Sequence, residues 1–526
     1  MAFFCRNVVT VALNLTILPC LYGSVTMTWY EDRDNDTYGN LSVTVEAEEQ
    51  PPGFVARAGD CNDDPRQQGT ITFPGAKEPC NFSDFNCDGF VRQCKLVPLG
   101  LPLAEQKDAF VVSSLEPGHL FITNAGGADN LSDATDIHPE LGGPTAWIQS
   151  AGNGQPKILS AVGLAPRDFS QSMPRLWLKL SHGAHARELT LTLGNQAFKN
   201  FVRFNFRSTQ GQRWLTDGDW AGFSMGWNED SMTQVNLEAG LTLADFRRSI
   251  TDYQVQVRDD RVVPVGLRLA RISAVAESRE RFPRGVISFT FDDGLESQYL
   301  RARPKLAQYG YAATAYVIVG FLDKPNYLST RQLRRLKKHG HWEVAFHAFD
   351  PVMHLTDYSN FPVELVERDI MAGKQWLWEH GFGFGRNGRS GLAHFSYPKG
   401  EFKIDDESGL GRPRAGTTDV LAIARRHFSS ARSISERHRE SWPPSDTHKL
   451  RVVYVTAPET AESVARQVRN GVDAGEWVIL VLHNLVEVPV SNDQWEASKF
   501  DALVDYVGKD LAGVPVRTIG QVLGGG

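Results

Sequence analysis

The hydrophobic period of the chain changes at Phe282-Pro-Arg-Gly, and no single layered architecture accommodates the patterns on both sides. Downstream, apolar runs that read as strands (Val286 to Phe291, Ala313 to Val319, Trp342 to Phe346, Trp477 to Leu482) alternate with helical patterns (Glu296 to Tyr309, Thr330 to His339, Val363 to Glu379). Such alternation implies βαβ units and a parallel barrel. The end of the chain, Phe500 to Leu511 and then Val514-Pro-Val-Arg-Thr, reads as a further helix and strand. Upstream, from about Asp108 to Glu277, short period-two runs such as Arg175-Leu-Trp-Leu-Lys-Leu and Glu188-Leu-Thr-Leu-Thr-Leu are separated by Gly, Asn and Asp turns, with no helical pattern between them. That predicts a β-sandwich or jelly roll. Trp214, Trp220 and Trp227 fall in its middle, where they either pack in the core or offer an aromatic platform to sugar rings.

A chain of 526 residues exceeds what one core organises, since domains usually hold ~100–200 residues. The net charge of −7 and the lack of a long Lys/Arg run exclude the electrostatic footprint of a nucleic-acid binder. No segment after the leader approaches the ~20 apolar residues of a membrane span. The cysteines (Cys5, Cys20, Cys61, Cys80, Cys87, Cys94) all lie in the first hundred residues and so belong to a local device. Val8 to Gly23 is apolar and preceded by Arg6, which resembles a secretory signal. Asn14 and Pro19 interrupt it, and a buried strand or a start codon placed too far upstream is the alternative. With residues 1–25 as a signal, the protein is expected to be secreted, periplasmic or at the cell surface, where disulfides are permitted.

Residues 27–96 are rich in Asp, Asn, Gly and Cys and lack hydrophobic periodicity, so something other than a core must order them. Asp32-Arg-Asp34-Asn-Asp36 and Asp84-Phe-Asn86-Cys-Asp88-Gly89 put oxygen ligands at alternate positions, as calcium loops do. Asp60-Cys61-Asn62-Asp63-Asp64 adds another cluster. The stretch resembles the short Asp-rich, Cys-containing metal-binding repeats of secreted bacterial proteins, themselves similar to thrombospondin type 3 calcium repeats. The resemblance implies Ca²⁺ held by Asp32, Asp34, Asp36, Asp84, Asn86 and Asp88. Thr37 stands where a glycine is usual, no Glu closes either loop, and the four cysteines of the segment allow three pairings. A solvated acidic linker stapled by disulfides is the alternative.

In the C-terminal part, Thr290-Phe291-Asp292-Asp293-Gly294 ends the first strand with adjacent carboxylates, at the end of a barrel strand where catalytic groups gather. Adjacent aspartates repel unless a cation absorbs the charge. A second strand delivers His347, followed by Asp350, Pro351 and His354, and Trp477 to Leu482 ends on His483. Imidazoles with a carboxylate make a zinc-type site whose open position activates water.

These ordered motifs, with the loop Phe395-Ser396-Tyr397-Pro398-Lys399-Gly400, resemble the polysaccharide deacetylase (NodB-homology, carbohydrate esterase family four) family over about 240 residues. The resemblance implies an irregular (β/α) barrel of about seven strands, spanning 284–524, behind a possible carbohydrate-binding β-sandwich at 107–278. It implies an enzyme that hydrolyses acetyl groups from a glycan with one divalent metal, zinc by default. Asp292 would be the base, His483 the acid, and Asp293, His347 and His354 the metal ligands. The backbone N–H groups of Tyr397, Pro398, Lys399 and Gly400 would line the oxyanion site as far as each has one. Two departures stand out. The histidines are seven residues apart rather than four, about 10 Å along a straight helix, so that either Pro351 breaks the segment or Asp350 replaces His354. Ser396 also occupies the place of an arginine that orients the base, for which Arg432 is a substitute. A calcium-stabilised glycan-binding surface protein with an inactive barrel is the second reading.

Overall fold

The computed structural model of the chain describes residues 26–65, 69–76, 86–87, 120–123, 127–138, 141–205, 218, 220–229, 231–277, 282–382, 391–402, 418–434 and 439–523. The signal expected at 1–25, Cys80, Cys94, Asp84, Asp88 and Trp214 lie outside the described residues. The chain divides into two compact units, one comprising 1–79 with 84–92 and the other 80–83 with 93–526.

In the first unit four short strands form one sheet in the order Phe54–Val55, Met27–Glu31, Gly39–Ala47, Ala58–Asp60. Cys61 is disulfide-bonded to Cys87. Few of its described residues are buried, and those that are include Asp32, Asp34 and Asp60 rather than large apolar side chains.

The second unit begins with two antiparallel sheets. Six strands run in the order Met232–Asn236, Asn200–Asn205, Ala186–Asn195, Asp252–Asp259, Lys157–Ala161, Leu120–Thr123, and five in the order Ala221–Ser224, Ser172–Ser181, Gly266–Ala276, Thr145–Gln149, Asp129–Asp133. Leu189, Leu191 and Leu193 of one sheet share a core with Leu176, Leu178 and Leu180 of the other, the period-two signature of facing sheets. Trp227 belongs to that core: its indole N–H donates to Ser172 O at 2.8 Å, and Phe204, Phe169 and the Arg247 guanidinium surround the ring. Trp220 is half-buried beside His138, with Lys179 Nζ 5.3 Å from its ring centre.

Seven parallel strands follow in the order Ser430–Arg432, His394–Ser396, Glu343–Ala348, Thr314–Ile318, Val286–Phe291, Trp477–Leu482, Val453–Tyr454. Every residue of Val286–Phe291 and Trp477–Leu482 is buried, as expected of central strands covered on both faces. Leu450 bridges Arg432 on one outer strand, and Val453 pairs with Leu480 near the other edge, so one short segment touches both sides of the curled sheet. The strand expected at 514–518 is reduced to a single bridge from Val516 to Ile287; Pro515 has no N–H with which to extend a ladder. The helix expected at 296–309 is a π-turn, Gln298–Ala302, running into a short α-helix, Arg303–Ala307.

The sandwich and the parallel sheet are joined through a buried polar cluster. Glu440, fully buried, accepts from the backbone N–H groups of Ser441, Ser445 and Arg451 and from Arg451 Nη2 at 2.6 Å. Arg451 Nη1 donates to Ser224 O at 3.4 Å, Ser224 N–H to Ser445 Oγ at 3.0 Å, and Asn228 to Glu476 at 2.8 Å. Removing one member of such a pair leaves an uncompensated buried charge. Glu440→Ala is therefore expected to cost about 3–5 kcal/mol, read as a drop in the midpoint of urea unfolding.

Candidate active site

Asp292 immediately follows the strand Val286–Phe291 and is still tied to the neighbouring strand. Its N–H donates to Leu482 O at 3.0 Å, and its own carbonyl accepts from Gln298 Nε2 at 2.6 Å. Asp293 and Gly294 follow with φ of 69° and 72°. Two successive left-handed residues turn the chain sharply, so the adjacent carboxylates go to different partners. Left-handed φ is uncommon for a non-glycine residue and marks a position the fold over-determines.

The Asp292 carboxylate is buried and ion-paired with Arg432, which is itself fully buried and lies 4.4 Å from the Tyr316 ring centre. Ser396 Oγ donates to its other oxygen at 3.3 Å, and His483 Nε2 stands 3.9 Å from that oxygen. Burial pushes the carboxyl up, but the Arg432 guanidinium foremost, with the His347 and His483 imidazoles close by, more than offsets this and holds it down at about 2. Arg432 comes from the strand Ser430–Arg432, so the cation that the motif loop lacks arrives from the neighbouring strand.

Asp293 turns toward two imidazoles. Its Oδ1 lies 3.6 Å from His347 Nε2 and 3.4 Å from His354 Nε2, and the two Nε2 atoms are 2.9 Å apart. His347 Nδ1 is 2.7 Å from Ser396 O, a contact that places the proton on Nδ1 and leaves Nε2 as a lone pair. Burial lowers both imidazole pKa values; His354, further depressed by His347 and Lys399, falls to about 2. Both rings are thus neutral, as metal ligands must be. Asp293 Oδ1 is buried with no hydrogen-bond partner. Two neutral imidazole nitrogens and one orphaned carboxylate oxygen, all within 4.8 Å of one another, fit a divalent cation of the zinc or cobalt type.

The seven-residue spacing is accommodated by a change of element between the histidines. His347 is the last residue but one of the strand Glu343–Ala348, and His354 lies on the short helix Pro351–Thr356, which has Pro351 at its first position. Asp350 is occupied elsewhere: it is the helix cap, its Oδ1 accepting from Val352 N–H at 2.7 Å.

The loop Tyr397–Gly400 contributes fewer donors than its sequence suggests. Tyr397 N–H donates to Arg432 O at 3.1 Å and Gly400 N–H to Tyr397 O at 2.9 Å, while Pro398 has none. Of the four residues this leaves the amide of Lys399, whose φ is 57° and whose side-chain charge acts on His354.

A separate carboxylate cluster lies in the first unit. Asp32, Asp34 and Asp36 form one trio and Asp34, Asp60 and Asp63 another, each with ligand atoms within 4.8 Å. Asp32 accepts from the N–H groups of Asn35, Asp36 and Thr37, and Thr37 adopts φ 83°, the conformation for which glycine is usual at this point. One oxygen each of Asp34, Asp36 and Asp60 is buried without a partner. Burial, then neighbouring carboxylates, raise all three to about 6. Asn86 accepts through its backbone carbonyl from Gly75 N–H. Asp60 and Asp63 join Asp34 in the second trio, Asp60 ending a strand paired alongside Gly39 and Asn40.

Residues 279–407 match the family model described as polysaccharide deacetylase, and the chain therefore carries a polysaccharide deacetylase domain. The matched segment includes Asp292, Asp293, His347, His354 and the 395–400 loop, and stops short of Arg432 and His483. A poly-beta-1,6-N-acetyl-D-glucosamine N-deacetylase of Staphylococcus aureus is 30% identical over 79 residues, 14% of this chain and 27% of that protein; the chain thus spans about a quarter of the length of the curated relatives it matches. Among solved structures, a family 4 acetyl xylan esterase from Clostridium thermocellum in complex with a cobalt ion aligns at TM-score 0.28 and 17% identity, over 45% of this chain and 89% of that one. IcaB from Ammonifex degensii aligns at TM-score 0.24 and 20% identity, over 34% and 71%. Likenesses this weak leave the chemistry of the site to be read from this chain's own residues.

Asp350→Ala is expected to cost about 1 kcal/mol of stability through its lost cap and to leave zinc binding intact. His354→Ala should abolish high-affinity zinc binding. Zinc titration of both purified variants, alongside thermal unfolding, distinguishes the two residues.

Proposed function

We propose that the C-terminal domain, 284–524, is a metal-dependent hydrolase that removes acetyl groups, N-acetyl foremost, from a secreted or cell-surface polysaccharide. The observation that carries this reading is the separation of two adjacent aspartates: Asp293 faces two neutral imidazoles with an unsatisfied oxygen, while Asp292 is held ionised by Arg432 with His483 3.9 Å away. A divalent cation bound by Asp293, His347 and His354 would polarise the acetyl carbonyl and lower the pKa of a water. Asp292, ionised and buried, accepts the proton of the attacking water. The Lys399 N–H donates to the oxyanion that develops on the acetyl carbonyl. His483, whose imidazole faces Asp292, returns a proton to the departing amine. N-acetylglucosamine polymers are the favoured substrates because the curated relatives are named for one; O-acetylated glycans answer to the same chemistry.

His354 standing 2.9 Å from His347, and Arg432 pairing with Asp292, support an active enzyme over a barrel kept only for binding. In the first unit, the orphaned oxygens of Asp34, Asp36 and Asp60 support a Ca²⁺ site built by Asp32, Asp34, Asp36, Asp60 and Asp63, hard oxygens being what calcium takes. The Cys61–Cys87 disulfide suits an oxidising compartment, and among the described residues no helix is long and apolar enough to cross a membrane.

Acetate release from N-acetylated glycans tests the enzyme directly. Chelation should abolish it, zinc or cobalt should restore it, and Asp292→Asn should lower it by about 10²–10⁴-fold, the usual contribution of a general base. Release that survives chelation and Asp292→Asn alike would sink the proposal. For the first unit, calcium at 100 times its dissociation constant should stabilise by about 2.7 kcal/mol. That gain should vanish in Asp60→Ala, as read by calcium-dependent thermal unfolding.

A further inference from the structure

The turn that accommodates the seven-residue spacing needs its own support. The strand ends at Ala348, its last paired residue, opposite Ile318, and the helix begins at Pro351. The N–H groups of Phe349 and Asp350 therefore emerge between two elements with no ladder to receive them. Both are taken by one side chain: Asp369 Oδ2 accepts from Phe349 N–H at 2.9 Å and Oδ1 from Asp350 N–H at 2.8 Å. The hydroxyl of Tyr358 donates to the same Oδ2.

Asp369 lies within the helix Val363–Glu379, where only 6% of it is exposed. Its carboxylate contacts two amides and a phenol and has no basic side chain against it among the described residues. A carboxylate so placed is a costly substitute for an apolar residue, and what it secures is direction. Its two oxygens grip two successive amides, one each, which fixes the course of the chain as it leaves the strand. Asp350 then caps the helix through Val352 N–H and, through its carbonyl, accepts from His354 N–H at 3.1 Å. The grip on Phe349 and Asp350 is thus one residue from the strand that carries His347 and one hydrogen bond from His354.

We infer that Asp369 is a positioning residue for the metal centre: by clamping the amides of Phe349 and Asp350 it sets His347 and His354 close enough to hold one divalent ion. This rests on the proposed metal site of Asp293, His347 and His354. Asparagine at 369 keeps the shape of the side chain but can accept from only one of the two amides, and its NH2 group meets the other donor head-on.

The test is zinc affinity of the full chain, measured by competition with a chromophoric chelator at a temperature where wild type and variant are both fully folded. Asp369→Asn is expected to weaken zinc binding by about 10–100-fold, the range seen when groups that orient metal ligands are removed. A role confined to stability would lower the unfolding midpoint and leave that affinity unchanged. An affinity within twofold of wild type would overturn the inference. Should Asp369→Asn not fold, Tyr358→Phe decides: several-fold weakening is expected from loosening the clamp, and unchanged affinity overturns it. Wild-type protein that binds no zinc would instead refute the metal site itself, so the two failures are distinguishable.

Discussion

Two carboxylates adjacent in sequence cannot remain ionised in one buried site unless each has its own positive partner, and the centre of this molecule is organised around that constraint. The left-handed turn at Asp293-Gly294 sends the two side chains apart. Arg432 neutralises Asp292 from the neighbouring end of the sheet. Asp293 is left with an oxygen that has no hydrogen-bond partner among the described residues, directed at two imidazoles that burial keeps neutral. A fixed guanidinium for one aspartate and ligand geometry for the other give each carboxylate a different chemistry from nearly identical local sequence.

Such a division requires strands that do not move. The central strands are buried along their whole length, and the segment that touches both outer strands, Leu450 to Tyr454, begins beside Arg451, whose guanidinium is held by Glu440. The same guanidinium donates to Ser224 in the antiparallel sandwich. The sandwich is thereby hydrogen-bonded to the segment that spans the curled sheet. The sandwich thus has a structural part to play at this joint.

Much of this was legible in the sequence because it depends on local pattern. Period-two runs gave facing sheets, strand–helix alternation gave a parallel sheet, and Asp292, Asp293, His347 and His483 each stand where an apolar strand stops. What could not be read depends on contacts between distant segments. The sequence offers Arg432 as the substitute for the missing motif arginine, but its ion pair with a residue 140 positions away is made only by the fold. The choice between His354 and Asp350 turns on how the chain bends after Ala348, which Asp369 influences from the next helix. The expectation for the Tyr397–Gly400 loop narrowed for the same reason, since Arg432 O claims the Tyr397 amide. In the first unit, the alternate acidic spacing of Asp32, Asp34 and Asp36 was visible, but the contribution of Asp60 and Asp63 required the strand pairing of Ala58–Asp60 with Gly39–Ala47.

The two carboxylate clusters of the chain meet the same electrostatic problem with opposite resources. At the end of the parallel sheet, protein cations and aromatic packing surround Asp292, and its carboxyl is driven down to about 2. Among the described residues of the first unit the buried apolar surface is small, and burial with mutual repulsion drives Asp34, Asp36 and Asp60 up to about 6. A cluster of acids held together against that repulsion stores unfavourable energy that a bound hard cation would release on folding. The same cation would supply the order that a segment with so little core cannot supply for itself. Carboxylates in the deacetylase domain are therefore arranged for reactivity within a scaffold that is already stable, whereas in the first unit the carboxylates and their proposed ion serve as the scaffold.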